Sequence, residues 1–399
     1  MFAGRTAWNL SPNRLTALLD SRRAAGLPLI DLTQTNPTRC GFHYPEAEIL
    51  RALGDRQSLV YEPSPRGLVE ARRAVAEQYR SRGVSVAPES LVLTASTSEA
   101  YAFLFRLLAD PGDTLLVPAP CYPLFDLLAQ IHDVALAHYE LSADADRTID
   151  PSSLARAAAT GGARAMIVVS PGNPTGRYLR RRDLETIAEV CAGRQMALIC
   201  DEVFGDYDFD EAGAGGSARA GSLASHPDLL TFTLDGLSKM LALPQLKLGW
   251  IAASGPAPLS AGALERLEVI ADTYLSVNTP VQHALSALLA LRPAIQEQVM
   301  ARLKTNRAEL MHRVARVEGL RVIPAEGGWQ SILEVPSTRT DEAWALEILS
   351  REGVLAHPGY FFDFAGEGHL VISLLPPPDV FVEGVDRMLR CIRGCLDEA

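Results

Sequence analysis

The stretch "GLSKMLALPQLKLGW", Gly236 to Trp250, holds Lys239 and Lys247, two of only three lysines in a chain with 34 arginines. The third, Lys304, lies in "ARLKTNRAEL", whose charge spacing reads as an ordinary solvated helix. A lysine amine can deprotonate and condense with a carbonyl, whereas guanidinium stays charged and poorly nucleophilic. The stretch also runs from one apolar segment, "LLTFTLDG" at 229, into another, "LGWIAAS" at 248. It therefore reads as a connection between buried strands that delivers an amine to a strand end. The neighbouring strand ends then decide fold and chemistry.

Working outward, similar apolar runs rich in β-branched residues recur: "LVLTAS" at 91, "TLLVPAP" at 114, "AMIVVS" at 165 and "MALICDE" at 196. Between most of them lie stretches of helical periodicity, such as "SEAYAFLFRLLAD" and "RRDLETIAEVCAG". That alternation predicts an α/β fold, a mostly parallel sheet flanked by helices on both faces. After about residue 285 the texture changes to long helical segments, then short strands in "WQSILEVP" and "HLVISLL", then a terminal helix. The expected division is a large domain over 41–285 and a smaller α+β domain over 286–399, with residues 1–40 packing against the smaller one. The glycine cluster "EAGAGGSARAGS" at 211–222 follows the acidic "DYDFD" and not an apolar strand, so it reads as a flexible loop and not a dinucleotide-binding turn.

Composition narrows the function classes. A length of 399 residues with 48% hydrophobic content allows two buried cores. A formal net charge of -11 and scattered arginines argue against binding a nucleic-acid backbone. Six cysteines, at 40, 121, 191, 200, 391 and 395, have neither disulfide-framework density nor a paired C-x-x-C zinc spacing, so no metal is expected. The N-terminus lacks a signal-like apolar core, and no run approaches the ~18 apolar residues of a membrane span. A cytoplasmic protein is the expectation.

In an open α/β sheet, ligands bind beyond the carboxyl ends of the strands. After "LVLTA" come Ser96, Thr97 and Ser98, opening a helix whose free amides and dipole suit a phosphate. After "TLLVPAP" comes Tyr122, a face that can stack on an aromatic ring; "MIVVS" leads to Asn173 in the turn "PGNPTG"; "MALIC" leads to Asp201. Each of the first three also has a bland reading, as a helix cap, a core ring or a good turn. Asp201 is harder to dismiss, because a carboxylate ending an apolar strand is costly without a cationic partner. A pyridinium nitrogen would serve, and with the phosphate cradle, the ring and the lysine amine it describes pyridoxal phosphate held as a Schiff base.

The chain resembles the class I/II aminotransferases of the fold-type I pyridoxal-phosphate enzymes over nearly its whole length. The motifs are "YEPSPRG" at 61, "TASTSEAY" at 94, "PAPCYP" at 118, "SPGNPTG" at 170, "CDEVF" at 200 and the opening stretch at 236. The resemblance implies a seven-stranded, mostly parallel large-domain sheet. It implies that Lys239 carries the cofactor and moves the proton at the substrate α-carbon, that Asp201 keeps the ring nitrogen protonated, that Asn173 bonds the ring 3'-oxygen and that Tyr122 stacks on the ring. Ser96, Thr97, Ser98, Ser238 and Lys247 would surround the phosphate, with Tyr61 reaching it from the partner of a homodimer. The substrates implied are a small-molecule amino acid and a 2-oxo acid; carbon–sulfur lyases, decarboxylases and cyclases share the scaffold. A regulatory protein borrowing the fold would add a DNA-binding segment, which is not expected before residue 40.

Three positions depart from the family pattern. Lys247 stands where arginine is usual, a point charge in place of a bidentate fork. Phe204 replaces a tyrosine, removing a hydroxyl from the 3'-oxygen. Val371, in "HLVISLLPPP", stands where the substrate-carboxylate arginine belongs, so Asn36, Asn173, Arg39 and Arg66 become the candidates for substrate binding, with Arg177 a weaker one.

Overall fold

Seven strands pair into one sheet: β1 (Leu91–Thr94), β2 (Thr114–Ala119), β3 (Ala135–Glu140), β4 (Ala163–Val169), β5 (Ala197–Asp201), β6 (Thr231–Gly236) and β7 (Gly249–Ser254). Their order is β1-β7-β6-β5-β4-β2-β3, and β7 alone runs antiparallel to its neighbours. These are features of a computed structural model that describes residues 1–142, 148–209 and 218–398. Most of the "EAGAGGSARAGS" loop, residues 211–217, lies outside the described residues.

The expected α/β class holds, and its cause is visible strand by strand. Every residue of β5 and β6 is buried. Ile167, Ile199, Phe232 and Ile251 project to one face, where they meet α2 (Thr97–Leu108) and the helix Ala257–Tyr274. Met166, Val168, Leu198 and Cys200 project to the other, against α3 (Arg181–Arg194). Burying each such side chain contributes about 1.5–3 kcal/mol. The strand absent from the sequence reading is β3, "ALAHYE". As an edge strand it is mostly half-buried or exposed and carries His138 and Glu140, so it lacks the continuous apolar run of its neighbours.

The C-terminal part builds a four-stranded antiparallel sheet from β8 (Arg321–Val322), β9 (Gln330–Glu334), β10 (His357–Pro358) and β11 (His369–Ser373), in the order β10-β11-β9-β8. The helices α4 (Arg292–Val314), α5 (Asp341–Glu352) and α6 (Pro378–Asp397) pack around it; α6 buries Phe381, Val385, Met388 and Ile392. At the N-terminus, α1 (Arg14–Ala24) lies on α5, and Ile30–Asp31 pairs in parallel with Val354–Leu355. The first residues go elsewhere than expected from residues 1–40 as a unit: Arg5 pairs with Asp133, and the Trp8 indole donates to Gln130 Oε1 at 2.8 Å, both on the β2–β3 side of the large sheet. All six cysteines are free and buried, and among the described residues no helix is long and apolar enough to cross a membrane.

Candidate active site

The carboxyl ends of β1, β2, β4, β5 and β6 point the same way, and a cavity opens beyond them. Its lining includes Thr97, Ser98, Tyr122, Asn173, Asp201 and Lys239, six residues from five different strand ends.

Lys239 sits in the four-residue helix Leu237–Met240 directly after β6. Gly236 allows that tight exit: a Cβ there would lie 2.9 Å from Gly249 Cα and 3.0 Å from the Leu248 oxygen. The Lys239 amine rests 5.0 Å from the Trp329 ring centroid and 5.6 Å from that of Phe204. Among the described residues no carboxylate lies within ion-pairing distance of it. Burial holds its ammonium below the ordinary lysine range, opposed by the charge of Asp201. A desolvated, unpaired amine is one poised to lose its proton and act as a nucleophile.

Asp201 is 8% exposed at the end of β5. Its Oδ2 accepts from the Tyr101 hydroxyl at 2.9 Å and its Oδ1 from the Val203 amide at 3.1 Å. Burial pushes its carboxyl above the ordinary range, while the Val203 amide, the Tyr101 hydroxyl and the Lys239 charge pull it back. Two donors thus hold the anion in place without neutralising it, leaving it able to favour a cation in the cavity. Tyr101, one helical turn beyond Thr97 in "TASTSEAY", is a residue that the sequence reading missed.

The residues present fit pyridoxal phosphate on three observations. Asn173 Oδ1 is buried in the cavity wall with no hydrogen-bond partner, so this amide has capacity to spare for a polar ligand. Thr97 and Ser98 begin α2, where helical amides lack intrahelical partners. The missing side chain of Gly249 keeps their approach open, since a Cβ there would fall 3.3 Å from the Thr97 nitrogen. Tyr122, 40% exposed, presents its ring at the cavity edge, braced edge-on by Phe125.

Several sequence candidates stand outside the cavity lining. The Ser96 hydroxyl caps α2, accepting from the Glu99 amide at 3.1 Å, and lies outside the cavity lining. Ser238 is half-buried beside Lys239, and Lys247 is exposed with a left-handed backbone, φ 54°. Asn36 Oδ1 is taken by the Thr38 amide and hydroxyl; its neighbour Thr35 is the residue that lines the cavity. Arg39 is exposed and outside the lining. Arg66 pairs with Glu268 at 2.6 Å and donates to the Glu89 carbonyl, which turns it away from the cavity. Arg177 faces Glu326 and a neighbouring cleft. Tyr61 is 72% exposed over a different cleft, outside this cavity.

Val371 is fully buried among Ile323, Ile332 and Phe362, so no cation replaces the missing arginine from that strand. The cavity wall on this side is instead Trp329 and Gln330, from "GGWQS", and Gln330 Oε1 is buried without a partner. Both were read only as part of a strand; their role depends on β9 being laid across the end of the large sheet, which local pattern does not encode.

The family model for aminotransferase class I and II matches residues 29–381, most of the chain. The chain belongs to that family. Among its relatives, glutamate-pyruvate aminotransferase AlaA of Haemophilus influenzae is 27% identical over 374 residues, covering 92% of this chain and 91% of that one. Alanine aminotransferase of Mycobacterium tuberculosis is also 27% identical, covering 92% and 86%. Of solved structures, alanine aminotransferase from Pyrococcus furiosus superposes with a TM-score of 0.88 at 25% identity over 99% of this chain and all of that one. An aminotransferase from Escherichia coli gives 0.86 at 26% identity, covering 99% and 98%. The protein is an aminotransferase of a pyridoxal-phosphate-dependent family, and aminotransferases of this family act on amino acids and 2-oxo acids.

Proposed function

We propose that this aminotransferase binds pyridoxal phosphate at Lys239 and transfers an amino group between an α-amino acid and a 2-oxo acid whose carboxylate is held without an arginine from β11. The observation that carries the reading is the desolvated, unpaired Lys239 amine in one cavity with the anchored Asp201 carboxylate. The bound cofactor supplies the aldehyde that takes up the amino group and a ring that accepts the electron pair freed at the α-carbon.

The chain's own residues supply the rest. Lys239 Nζ, free of any ion pair among the described residues, takes and returns the α-carbon proton. Asp201, fixed by Tyr101 and Val203, would favour a protonated ring nitrogen on the bound cofactor. Asn173, Tyr122 and the amides at the start of α2 from Thr97 and Ser98 would hold the cofactor's ring and phosphate, with Lys247, outside the cavity lining, adding a charge for the phosphate. Tyr61, exposed on the surface, reaches the phosphate of a second copy in a homodimer. No sequence feature asks for a nucleic acid or a membrane.

The substrate carboxylate would meet uncharged donors: the amides of Gln330 and Asn173 and the hydroxyl of Thr35 line the cavity. Relatives named for alanine, glutamate and pyruvate make those the first substrates to try. Amino-group transfer is expected from alanine or glutamate to a 2-oxo acid, and Gln330→Leu is expected to raise the KM for the amino acid about tenfold with little change in kcat. Transfer from a carboxylate-free amine but from no amino acid in a broad panel would refute the substrate assignment.

A further inference from the structure

Next to the cavity, behind Tyr122, one cluster of side chains has the donors of a metal site. Cys121 Sγ, His138 and Asp363 each offer a ligand atom, all within 4.8 Å of one another, the one such group among the described residues. The three come from separate elements: the end of β2, the edge strand β3, and the loop after the turn Gly359–Phe362 of the C-terminal part. The backbone already joins the first and last, since the Cys121 amide donates to the Phe362 carbonyl at 2.8 Å. Asp363 has a left-handed backbone, φ 58°, a conformation that Asp and Asn tolerate better than most residues.

The electrostatics leave room for a cation. Cys121 Sγ donates to Asp363 Oδ2 at 3.5 Å, and His138 Nε2 lies 4.0 Å from the same oxygen. The carboxyl of Asp126, on the helix Phe125–Ile131, adds a second negative charge near Cys121. No lysine or arginine among the described residues lies within ion-pairing distance of Asp126 or Asp363. A catalytic use of the thiol does not fit, because its hydrogen goes to a carboxylate and not to the histidine, leaving it protonated.

We propose that Cys121, His138 and Asp363 form a binding site for a thiophilic divalent cation, zinc fitting best, that ties the C-terminal loop to the strand end carrying Tyr122. Thiolate, imidazole and carboxylate are the donor set of tetrahedral zinc. A sulfur and an oxygen on such an ion sit about 3.6 Å apart, close to the observed 3.5 Å. A nitrogen and an oxygen on one tetrahedral zinc sit about 3.4 Å apart, so the imidazole must approach the Asp363 oxygen by about 0.6 Å from its 4.0 Å; His138 is exposed and can do so. Asp126 or water takes the fourth position, and binding releases the thiol proton.

The test uses the holoenzyme, dialysed against chelator and then buffer, titrated with cobalt(II) as a spectroscopic stand-in for zinc. One equivalent per chain is expected to give ligand-field bands at the red end of the spectrum with a thiolate-to-cobalt transition, erased by added zinc. Asp363→Asn and His138→Gln, each checked for wild-type circular dichroism, are expected to weaken binding about 100-fold or more. Absence of the bands in the wild type overturns the site. So does their loss in Cys121→Ser with full retention in the other two variants, which would mark a single thiol binding cobalt by itself.

Discussion

The Tyr101 hydroxyl donates to Asp201 Oδ2 at 2.9 Å, from a ring that is 2% exposed and braced edge-on by Phe105 and Phe125. That bond favours the ionised carboxyl against a burial that opposes it. Tyr101→Phe keeps the packing and removes the donor, so the Asp201 carboxyl moves further above its ordinary range. Below that raised value the carboxyl is protonated and cannot hold the ring proton. The acid limb of the kcat profile therefore moves to higher pH, and kcat at neutral pH falls about tenfold. An unmoved acid limb would reduce Tyr101 to a packing residue.

Lys247 is exposed, with no ion pair among the described residues, and stands past the end of the helix that carries Lys239. Lys247→Ala is expected to leave the cofactor's spectrum unchanged and weaken its retention by about 1–3 kcal/mol, read by equilibrium dialysis. Lys247→Arg should tighten retention, because a fork can bond two phosphate oxygens. Equal retention by the alanine variant and the wild type would remove Lys247 from the phosphate site.

Phe204 lines the cavity edge-on to Trp329, and Tyr207, which also packs on Trp329, is committed: its hydroxyl donates to the Lys239 carbonyl at 2.6 Å. Phe204→Tyr should therefore add a donor that the wild type lacks. It is expected to lower the pH midpoint of the cofactor's visible absorption change, since a stabilised 3'-oxygen anion reduces the hold on the neighbouring proton. A spectral titration of both proteins decides it; an unchanged midpoint would mean that the wild type already has such a donor.

Much of the site was legible because strand ends are legible. Lys239, Asp201, Asn173 and Tyr122 each follow an apolar run directly, so finding the strands placed them, and the structure brings all four to one cavity. What escaped depends on contacts distant in sequence. Tyr101 meets Asp201 across one hundred positions, and Trp329 and Gln330 reach the cavity only through the docking of β9. The surroundings of the arginine candidates were hidden for a similar reason: the chain pattern shows the charge of Arg66 but not that Glu268, about two hundred positions away, pairs with it. The edge strand β3 was hidden by its polarity, which follows from having one side open to solvent.

The central claim is that Lys239 is the amine that carries the cofactor. Borohydride reduction of the purified enzyme, followed by peptide mass mapping, tests it directly. A single reduced pyridoxyl adduct is expected on the peptide containing Lys239, absent in both Lys239→Ala and Lys239→Arg, since arginine keeps the charge and lacks the condensing amine. An adduct on Lys247 or Lys304 in the wild type, or a full adduct persisting in Lys239→Ala, would contradict it.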